Sequence, residues 1–459
     1  MKKHLLFLCA AIAAFSLTSI SCTPDKPEES KDKPETPVSL KAVKIEVDDS
    51  NDWVFDAQPV FKVHVENPNT VEVKDQLRVL VFTDRKEVQL SLDESDITIP
   101  ADGLDIDVTP SKALEPGFYK IAIFVGRVCR TFYFGVRPTE IVSAPDYQPD
   151  FNTFWEDAKT QLKGIDLNAQ LTEITTKSTA ARKVYLVEMN SVPDGLTGEP
   201  VVVRGYYVEP QDHKKHPVIM HFQGYDDQAG LSKAYCPYGG SSQDYAEFWL
   251  STRGQVVNNR KAEKREPDGH GDFVNTYGDW FAFNFGQRDA YYYRGAFMDC
   301  VQAVRFMASR AICDMDNLFA EGSSQGGALS YAVASLSDYP FTAIAPCVAF
   351  LGDYPDYFDI VSWPGNTARE NQGTMTDAEM FAFLSYFDTK NLVTRIPATT
   401  AVIACSGLQD GICPPHTNIA AFNNLATTDK EYYYYPHMGH EIPSGWDSKI
   451  LAFFKARIK

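Results

Sequence analysis

Two patterns of apolar and polar residues divide the chain. Between residues 40 and 139, short apolar runs alternate with turn residues, and Phe61, Val63 and Val65 are separated by charged or polar neighbours. This period of two is typical of a strand with one face in a core and the other in water. About seven such strands in about a hundred residues predict an immunoglobulin-like β-sandwich. The segment shows no cluster of catalytic residue types, so we expect it to serve spacing or interaction.

From residue 140 to residue 459, strand-like runs alternate with helical stretches, which predicts a mostly parallel sheet covered by helices. The predicted strands are HPVIMHFQG, GQVVNNR, NLFAEG, AIAPCVAF, TTAVIACSG and KEYYYYP. The predicted helices are SQDYAEFWLSTR, RGAFMDCVQAVRFMASR, GGALSYAVASLS and SKILAFFKARI. In the second helix, Phe297, Val301, Val304 and Ala308 share one face. The aromatic-rich residues 351–395 lack strand periodicity and predict a cap inserted over the sheet.

The first 22 residues have the pattern of an export signal, in which two lysines precede an apolar run and small residues precede Cys22. The run Ser19-Ile20-Ser21-Cys22 resembles the lipobox of bacterial lipoproteins, which implies that Cys22 is lipidated. Residues 23–39 are rich in proline and charge and predict a disordered tether. We therefore expect an exported chain, lipid-anchored to a bacterial cell-envelope membrane on its periplasmic or outer surface. Plain cleavage, with Cys22 incidental, is the alternative.

Charge and cysteine usage narrow the range of partners. The formal net charge of −18 argues against nucleic acid as a partner, because phosphates are held by clustered Lys and Arg. A neutral polysaccharide or a small ester is not repelled by this negative charge.

Seven of the nine cysteines follow Cys22, with no CxxC pair, so neither a disulfide framework nor a zinc site is indicated. Most are expected to be buried small hydrophobes, with one stray disulfide as an open alternative.

The segment Gly322-Ser323-Ser324-Gln325-Gly326-Gly327 has the GxSxG spacing of a nucleophile elbow. In such an elbow a serine lies on a strained turn between a strand and a helix, and glycines avoid collisions there. A strand-like run precedes the motif and a helix-like run follows it. The motif predicts an α/β-hydrolase fold with Ser324 as nucleophile and Gly322 and Gly326 as the elbow glycines.

A serine hydroxyl needs a base to take its proton and an acid to orient that base. In this fold class the acid and then the histidine follow the serine, on loops after later strands. Asp410 follows the strand-like TTAVIACSG, although Asp before Gly is also a common turn. His437 and His440 both follow KEYYYYP, and position alone favours them equally.

An oxyanion hole requires backbone N–H groups aimed at the carbonyl oxygen of the reacting ester. The residue after the nucleophile, Gln325, is expected to supply one donor. The loop after an early strand contains Gln223-Gly224-Tyr225, and Tyr225 is the second candidate donor. An ordinary tight turn at Gly224 is compatible with this role.

Several motifs in order resemble the acetyl xylan esterase and cephalosporin C deacetylase family over about residues 145–459. They are RGQ at 253–255, DAYYYRGAFMDCVQAV at 289–304, GSSQGG at 322–327, GLQDGICPP at 407–415 and GHE at 439–441, together with DFNTFWEDAKTQL from residue 150. The resemblance implies Ser324, Asp410 and His440 as the triad, which selects His440 over His437. It implies the amides of Tyr225 and Gln325 as oxyanion donors, while Arg253 is expected to be structural. Residues 256–259, VVNN, depart from the glycine-rich run typical of the family.

The resemblance further implies a serine esterase that removes acetyl groups from carbohydrates such as xylo-oligosaccharides, with no metal or organic cofactor. It also implies assembly into homo-oligomers. A prolyl-oligopeptidase-like peptidase shares the elbow and the triad order and is the first alternative. A non-catalytic, glycan-binding surface lipoprotein is the second.

Overall fold

The computed structural model describes residues 40–225, 244–255 and 279–459. The export signal with Cys22, the tether at residues 23–39, Cys236 and residues 256–259 lie outside the described residues. Ala42–Lys459 forms one compact unit. Among the described residues, no helix is both long enough and apolar enough to cross a membrane.

The first part of the compact unit consists of strands in two sheets. The strands are Lys44–Val47 (β1), Val54–Phe55 (β2), Phe61–Glu66 (β3), Val73–Thr83 (β4), Gln89–Ile99 (β5), Leu104–Val108 (β6), Gly117–Val125 (β7) and Val128–Val136 (β8). One sheet has the order β1-β3-β6 and the other β2-β8-β7-β4-β5. The alternation predicted about seven strands, and eight are present among the described residues, of which β2 has only two residues.

The two sheets share an apolar core because alternate residues of β3 point inward. Phe61, Val63 and Val65 are 1%, 2% and 0% exposed, as their alternation predicts. The Phe61 ring lies 5.6 Å from the Phe132 ring and 5.0 Å from the Phe134 ring, both on β8. Aromatic contact across the gap thus joins β3 of one sheet to β8 of the other.

Over the described residues, the second part contains a nine-stranded sheet in the order β17-β16-β15-β14-β12-β13-β11-β10-β9. Its strands are Gln170–Glu173 (β9), Arg182–Ser191 (β10), Val201–Pro210 (β11), His216–Phe222 (β12), Ala246–Ser251 (β13), Cys313–Ser323 (β14), Ala343–Cys347 (β15), Ala401–Gly407 (β16) and Lys430–Tyr435 (β17). The strands from β12 to β17 pair in parallel, whereas β9, β10 and β11 pair antiparallel. This mixed α/β arrangement is consistent with an α/β-hydrolase core.

Helices connect these strands. They are Phe151–Lys163 (α1), Tyr292–Ala308 (α2), Gln325–Leu336 (α3), Tyr354–Ile360 (α4), Gly365–Asn371 (α5), Asp377–Leu384 (α6), Thr389–Leu392 (α7), Pro415–Asn423 (α8) and Trp446–Lys455 (α9). The predicted inserted segment, residues 351–395, contains α4 to α7 between β15 and β16. In α2, Phe297, Val301 and Val304 are buried, but so is nearly every other residue, so the predicted single apolar face was too narrow.

One helix prediction was wrong. Residues 242–253 were predicted to be helical, yet Ala246–Ser251 is the strand β13. It pairs in parallel with β12 and antiparallel with β11, and all six of its residues are buried. A strand covered on both faces shows no alternation, so its apolar run resembles that of a buried helix.

The two parts meet around a buried histidine on α8. Its ring lies between two carboxylates: His416 Nδ1 is 2.7 Å from Asp84 Oδ2, and Nε2 is 3.1 Å from Asp356 Oδ2. Asp84 follows β4 and Asp356 belongs to α4. Burial lowers the pKa of His416, but the hydrogen bonds and charges of Asp356 and Asp84 outweigh it and raise the pKa to about 9. A charged imidazolium therefore joins the N-terminal sheets to the second part of the chain.

The described cysteines are free thiols, and all except Cys129 are buried. Cys347 and Cys405 lie on the neighbouring strands β15 and β16 and form no disulfide; the Cys405 thiol donates a hydrogen bond to Cys347 Sγ at 3.2 Å. Burial of these side chains agrees with the prediction that most cysteines act as small hydrophobes.

Candidate active site

Ser324 lies at the turn between β14 and α3. Its backbone has φ 58° and ψ −121°, a conformation that a residue with a side chain rarely adopts. Two hydrogen bonds hold it there: Ser324 N donates to the Cys347 carbonyl at 2.9 Å, and Phe350 N donates to the Ser324 carbonyl at 3.0 Å. The neighbouring strand β15 thus fixes the strained turn predicted from the GxSxG spacing.

Gly322 and Gly326 leave the space that this turn needs. A Cβ atom on Gly322 would lie 2.5 Å from the backbone carbon and oxygen of Gly326. A Cβ atom on Gly326 would lie 2.1 Å from the carbonyl oxygen of Phe222, at the end of β12. The start of α3 therefore packs directly on the backbone of β12, and no other residue type fits at these two positions without movement.

Three predicted residues come together at the ends of β14, β16 and β17. His440 Nε2 lies 3.0 Å from Ser324 Oγ, and His440 Nδ1 lies 2.9 Å from Asp410 Oδ2. The other oxygen, Asp410 Oδ1, accepts the N–H groups of Ile412 and Cys413, each at 2.8 Å. These contacts assign the Nδ1–H tautomer to His440, which leaves Nε2 free to accept the serine proton.

The environment of His440 stabilises the imidazolium that forms when this base accepts a proton. Burial lowers the pKa of the imidazole, but the neighbouring sulfur of Cys413 and carboxylate of Asp410 outweigh burial, and the net shift is upward. The Asp410 side chain is fully buried, so little solvent screens its charge. An imidazolium formed when His440 accepts a proton is therefore stabilised in place.

The loops that carry Asp410 and His440 are joined by their backbones. Leu408 N donates to the Tyr435 carbonyl at 3.0 Å, and Gln409 N donates to the Met438 carbonyl at 2.9 Å. A Cβ atom on Gly407 would lie 2.2 Å from the carbonyl oxygen of Met438. No role was predicted for Gly407, although its place at the end of a predicted strand, three residues before the acid, was an available signal.

The structure separates the two histidines that position alone could not distinguish. His437 Nε2 lies 2.6 Å from Asp49 Oδ2 in the N-terminal part, and the His437 side chain is 51% exposed. His440, three residues later, faces Ser324 instead.

The loop after β12 runs beside the nucleophile. A Cβ atom on Gly224 would lie 3.9 Å from Ser324 Cβ, which places the next residue, Tyr225, close to the elbow. The Tyr225 hydroxyl donates to Asp279 Oδ1 at 2.5 Å and accepts from Trp280 N. Burial, with the charge of Asp279, raises the pKa of Tyr225, so the phenol stays protonated. Tyr225 is therefore fixed through its side chain.

Gln325 is the first residue of α3, where backbone N–H groups have no partner within the helix. Its side chain is fully buried and held by Gln255 Nε2 at 3.0 Å and by the Tyr293 hydroxyl at 3.1 Å. The backbone amide at this position is thus available beside Ser324 at the positive end of the helix dipole.

Arg253 of the RGQ motif binds Asp299 of α2. Its Nε donates to Oδ2 at 2.9 Å and its Nη2 donates to Oδ1 at 2.6 Å, and both side chains are buried. This paired contact joins the end of β13 to α2, a structural role.

One aromatic residue of the inserted segment lies next to this site. Trp363 packs edge-on against the Tyr225 ring, with centroids 5.9 Å apart, and stacks on Phe350 at 4.8 Å. Trp363 Nε1 also donates to Asp279 Oδ2 at 2.9 Å. The inserted segment therefore supplies an apolar wall beside Tyr225.

Known proteins resemble this chain in sequence and in fold. The acetyl esterase Axe7A of Xylanibacter ruminicola is 24% identical over 354 residues, which cover 75% of this chain and 75% of that protein. An acetyl xylan esterase from Paenibacillus sp. R4 has a TM-score of 0.58 and 25% identity, covering 70% of this chain and 98% of that one. Acetyl xylan esterase 1 from Thermoanaerobacterium sp. JW/SL YS485 shares the fold, with a TM-score of 0.59, 24% identity and the same coverage.

The match to the family model is longer than half of the chain. Residues 140–457 match the acetyl xylan esterase (AXE1) family, which includes the nucleophile elbow and the loops of Asp410 and His440. The chain therefore belongs to the acetyl xylan esterase family and is a carboxylic ester hydrolase.

Proposed function

We propose that this chain is a serine esterase that removes acetyl groups from acetylated carbohydrates such as xylo-oligosaccharides. The observation that carries the proposal is the unbroken chain of hydrogen bonds from Asp410 through His440 to Ser324. The names of the relatives, an acetyl esterase and two acetyl xylan esterases, support the acetyl group and the carbohydrate.

In the first step, Ser324 Oγ attacks the carbonyl carbon of the acetyl ester while His440 Nε2 takes the hydroxyl proton. Asp410 stabilises the imidazolium through its 2.9 Å hydrogen bond to Nδ1. The bond between the carbonyl carbon and the sugar oxygen then breaks, and Nε2 returns the proton to that oxygen. The products are the free sugar hydroxyl and an acetyl-serine.

The attack places negative charge on the former carbonyl oxygen. The backbone N–H groups of Tyr225 and Gln325 are the proposed donors to that oxygen. Both residues are held by their side chains, so the amides are oriented before the reaction begins.

In the second step, water attacks the acetyl-serine. His440 Nε2 removes a proton from the water, acetate leaves, and the proton returns to Ser324 Oγ. Water is the only second substrate, so the steps require no metal and no organic cofactor.

Acetate release from acetylated xylo-oligosaccharides tests the proposal, with the parent protein compared with Ser324→Ala. Loss of the nucleophile is expected to reduce kcat about a millionfold. Ser335→Ala is the matched control because this serine lies on the same helix, where its hydroxyl donates to the Tyr331 carbonyl at 2.7 Å. The control is expected to keep kcat within about twofold.

Each alternative function gives a different result. A parent protein that releases no acetate but cleaves peptides supports the hypothesis of a prolyl-oligopeptidase-like peptidase. A parent protein that binds glycan and hydrolyses nothing supports the hypothesis of a non-catalytic, glycan-binding lipoprotein. Equal acetate release by the parent and Ser324→Ala contradicts the proposed mechanism.

We propose that the chain is exported and lipid-anchored through Cys22 to a bacterial cell-envelope membrane. The export-signal pattern and the resemblance of residues 19–22 to a lipobox support this. Cys22→Ala is expected to move the protein from the membrane fraction to the soluble fraction. A variant that stays in the membrane fraction contradicts the proposal.

Residues 40–139 are proposed to form an immunoglobulin-like sandwich, and the chain is proposed to form homo-oligomers. The two sheets and their shared aromatic core support the immunoglobulin-like sandwich.

Light scattering of the purified protein tests whether the chain forms homo-oligomers. A monomer mass at micromolar concentration contradicts that proposal.

A further inference from the structure

Strand β8 has an edge that β2 covers only in part. Gly135 N donates to the Trp53 carbonyl at 3.0 Å, but β2 spans only Val54–Phe55 and does not reach Tyr133. Gln409 takes the next place on this edge: Tyr133 N donates to Gln409 Oε1 at 2.9 Å, and Gln409 Nε2 donates to the Tyr133 carbonyl at 3.1 Å. The carboxamide thus adds one rung to the N-terminal sheet, although the two residues are 276 positions apart in the chain.

The same side chain holds the loop of the catalytic histidine. Gln409 Nε2 also donates to the Pro436 carbonyl at 2.7 Å, four residues before His440. Gln409 itself directly precedes Asp410. One half-buried carboxamide therefore joins the N-terminal sheet, the acid loop (residues 408–413) and the base loop (residues 436–440). Both of its polar atoms are used.

A second contact brings the N-terminal part against the base loop. Besides its bond to Asp49, the His437 ring packs edge-on against Trp53, with centroids 4.7 Å apart. Trp53 is 1% exposed and stacks on Phe132 of β8 at 4.0 Å. The N-terminal part thus reaches the base loop at two points. Tyr133 of β8 is linked to Pro436 through Gln409, and Asp49 and Trp53, which lie between β1 and β2, contact His437 directly.

We propose that Gln409 is a positioning residue through which the N-terminal sheets hold Asp410 and His440 in the geometry needed for turnover. The inference rests on the proposed esterase function and assigns part of the active-site geometry to a region outside the residues that match the family. A displacement of about 1 Å between reacting groups can reduce the rate about a hundredfold. The loops of Asp410 and His440 are joined by few backbone bonds, so a bridge between them limits such displacement.

Gln58 provides a matched control within the N-terminal part. Its Nε2 donates to the carbonyls of Pro110 and Lys112 at 2.8 and 2.9 Å, and its Oε1 accepts from Leu114 N at 3.1 Å. Gln58 and Gln409 are both half-buried, and each joins backbone segments through one carboxamide. These contacts of Gln58 involve no residue of the acid or base loops, so Gln58→Ala measures the cost of losing such a bridge without moving the triad.

The test compares the parent with Gln409→Ala, Gln409→Glu and Gln58→Ala. In Gln409→Glu, the side chain keeps its volume and can accept from Tyr133 N, but it cannot donate to the carbonyls of Tyr133 and Pro436. This variant replaces Gln409→Ala in the test if the alanine variant does not fold. Two quantities are measured at a pH where kcat is constant: kcat and KM for para-nitrophenyl acetate, and the rate at which a small fluorophosphonate reacts with Ser324. Melting temperatures are recorded in parallel.

Both Gln409 variants are expected to lose about 10- to 100-fold in kcat, with KM within about twofold of the parent. Phosphonylation of Ser324 is expected to slow by a similar factor, since it requires the same activated hydroxyl. Gln58→Ala is expected to lower the melting temperature while both rates stay within about twofold.

Two results overturn the inference. If the Gln409 variants melt earlier but keep the parent's kcat and phosphonylation rate, Gln409 only stabilises the fold. If the parent neither hydrolyses the acetate ester nor reacts with the phosphonate, the proposed function fails first and this inference fails with it. The parent's own activity therefore distinguishes the two failures.

Discussion

The two sides of the active site are held by different means. On the nucleophile side, residues 322–327, the glycines leave no room for a side chain and backbone packing against β12 sets the position of Ser324. On the base side, residues 408–413 and 436–440, a Cβ atom on Gly411 would meet nothing within 4 Å. There, hydrogen bonds set the positions of Asp410 and His440. Steric exclusion at Gly322 and Gly326 thus fixes the nucleophile, whereas the base side combines one close backbone approach, at Gly407, with polar contacts that come partly from the N-terminal sheets.

The largest effect in this comparison is expected on the base side, from Asp410→Asn. The two N–H groups at Asp410 Oδ1 would keep the amide oxygen, so the new NH₂ group would face His440 Nδ1. His440 would then carry its proton on Nε2, where it cannot accept from Ser324. We expect kcat to fall about 10⁴-fold with an unchanged melting profile.

Asp429→Asn is the control for this substitution, because Asp429 pairs with Arg457 at the exposed start of β17. It is expected to keep kcat within about twofold. A kcat for Asp410→Asn within tenfold of the parent would show that another group orients His440.

On the nucleophile side, Gly326→Ala is expected to reduce kcat at least a hundredfold and to destabilise the fold by about 2–3 kcal/mol. The added carbon would lie 2.1 Å from the Phe222 carbonyl oxygen, so α3 must move and carry the elbow with it. Gly411→Ala, with open space around the same carbon, is expected to change kcat less than threefold. Equal losses in both variants would break the distinction between the two sides.

A smaller effect is expected where α8 meets the N-terminal sheets. The pKa of His416 is raised to about 9 from an ordinary 6.5, so its pairing stabilises the fold fully below about pH 6.5 and is lost as the pH rises through about 9. Asp84→Asn is expected to cost on the order of 2 kcal/mol at pH 6 and little above pH 9. Melting temperatures from pH 6 to 9.5 check this, with the exposed Asp96→Asn as control. A difference from the parent that does not change with pH would contradict the assignment.

The candidate site was largely predictable because its chemistry follows chain order. A strand, a GxSxG turn and a helix are local features that the sequence shows directly. Asp410 follows the predicted strand TTAVIACSG, and His437 and His440 follow the predicted strand KEYYYYP. The structure brings Ser324, Asp410 and His440 within hydrogen-bond distance, whereas their catalytic roles stay predictions. Position could not distinguish His437 from His440, because which histidine faces the serine depends on the fold of the loop.

The remaining features depend on contacts between distant residues. Strand β13 was mistaken for a helix because its burial on both faces removes the alternation that identifies strands. The contact of Gln409 with Tyr133 could not be predicted from the sequence, because a single glutamine before an aspartate forms no recognisable motif. The N-terminal part is expected from its sequence to act as a spacer or interaction module, because residues 40–139 show no cluster of catalytic residue types.

The pair of hydrogen bonds between Gln409 and Tyr133 of β8 has a consequence for the evolution of this sequence. A shuffling event that replaced residues 40–139 with an unrelated module would remove the N–H and the carbonyl of Tyr133, and Gln409 Oε1 would lose the N–H that it accepts beside Asp410. Where the two regions occur in one chain, position 409 and the edge of β8 are therefore expected to change in concert.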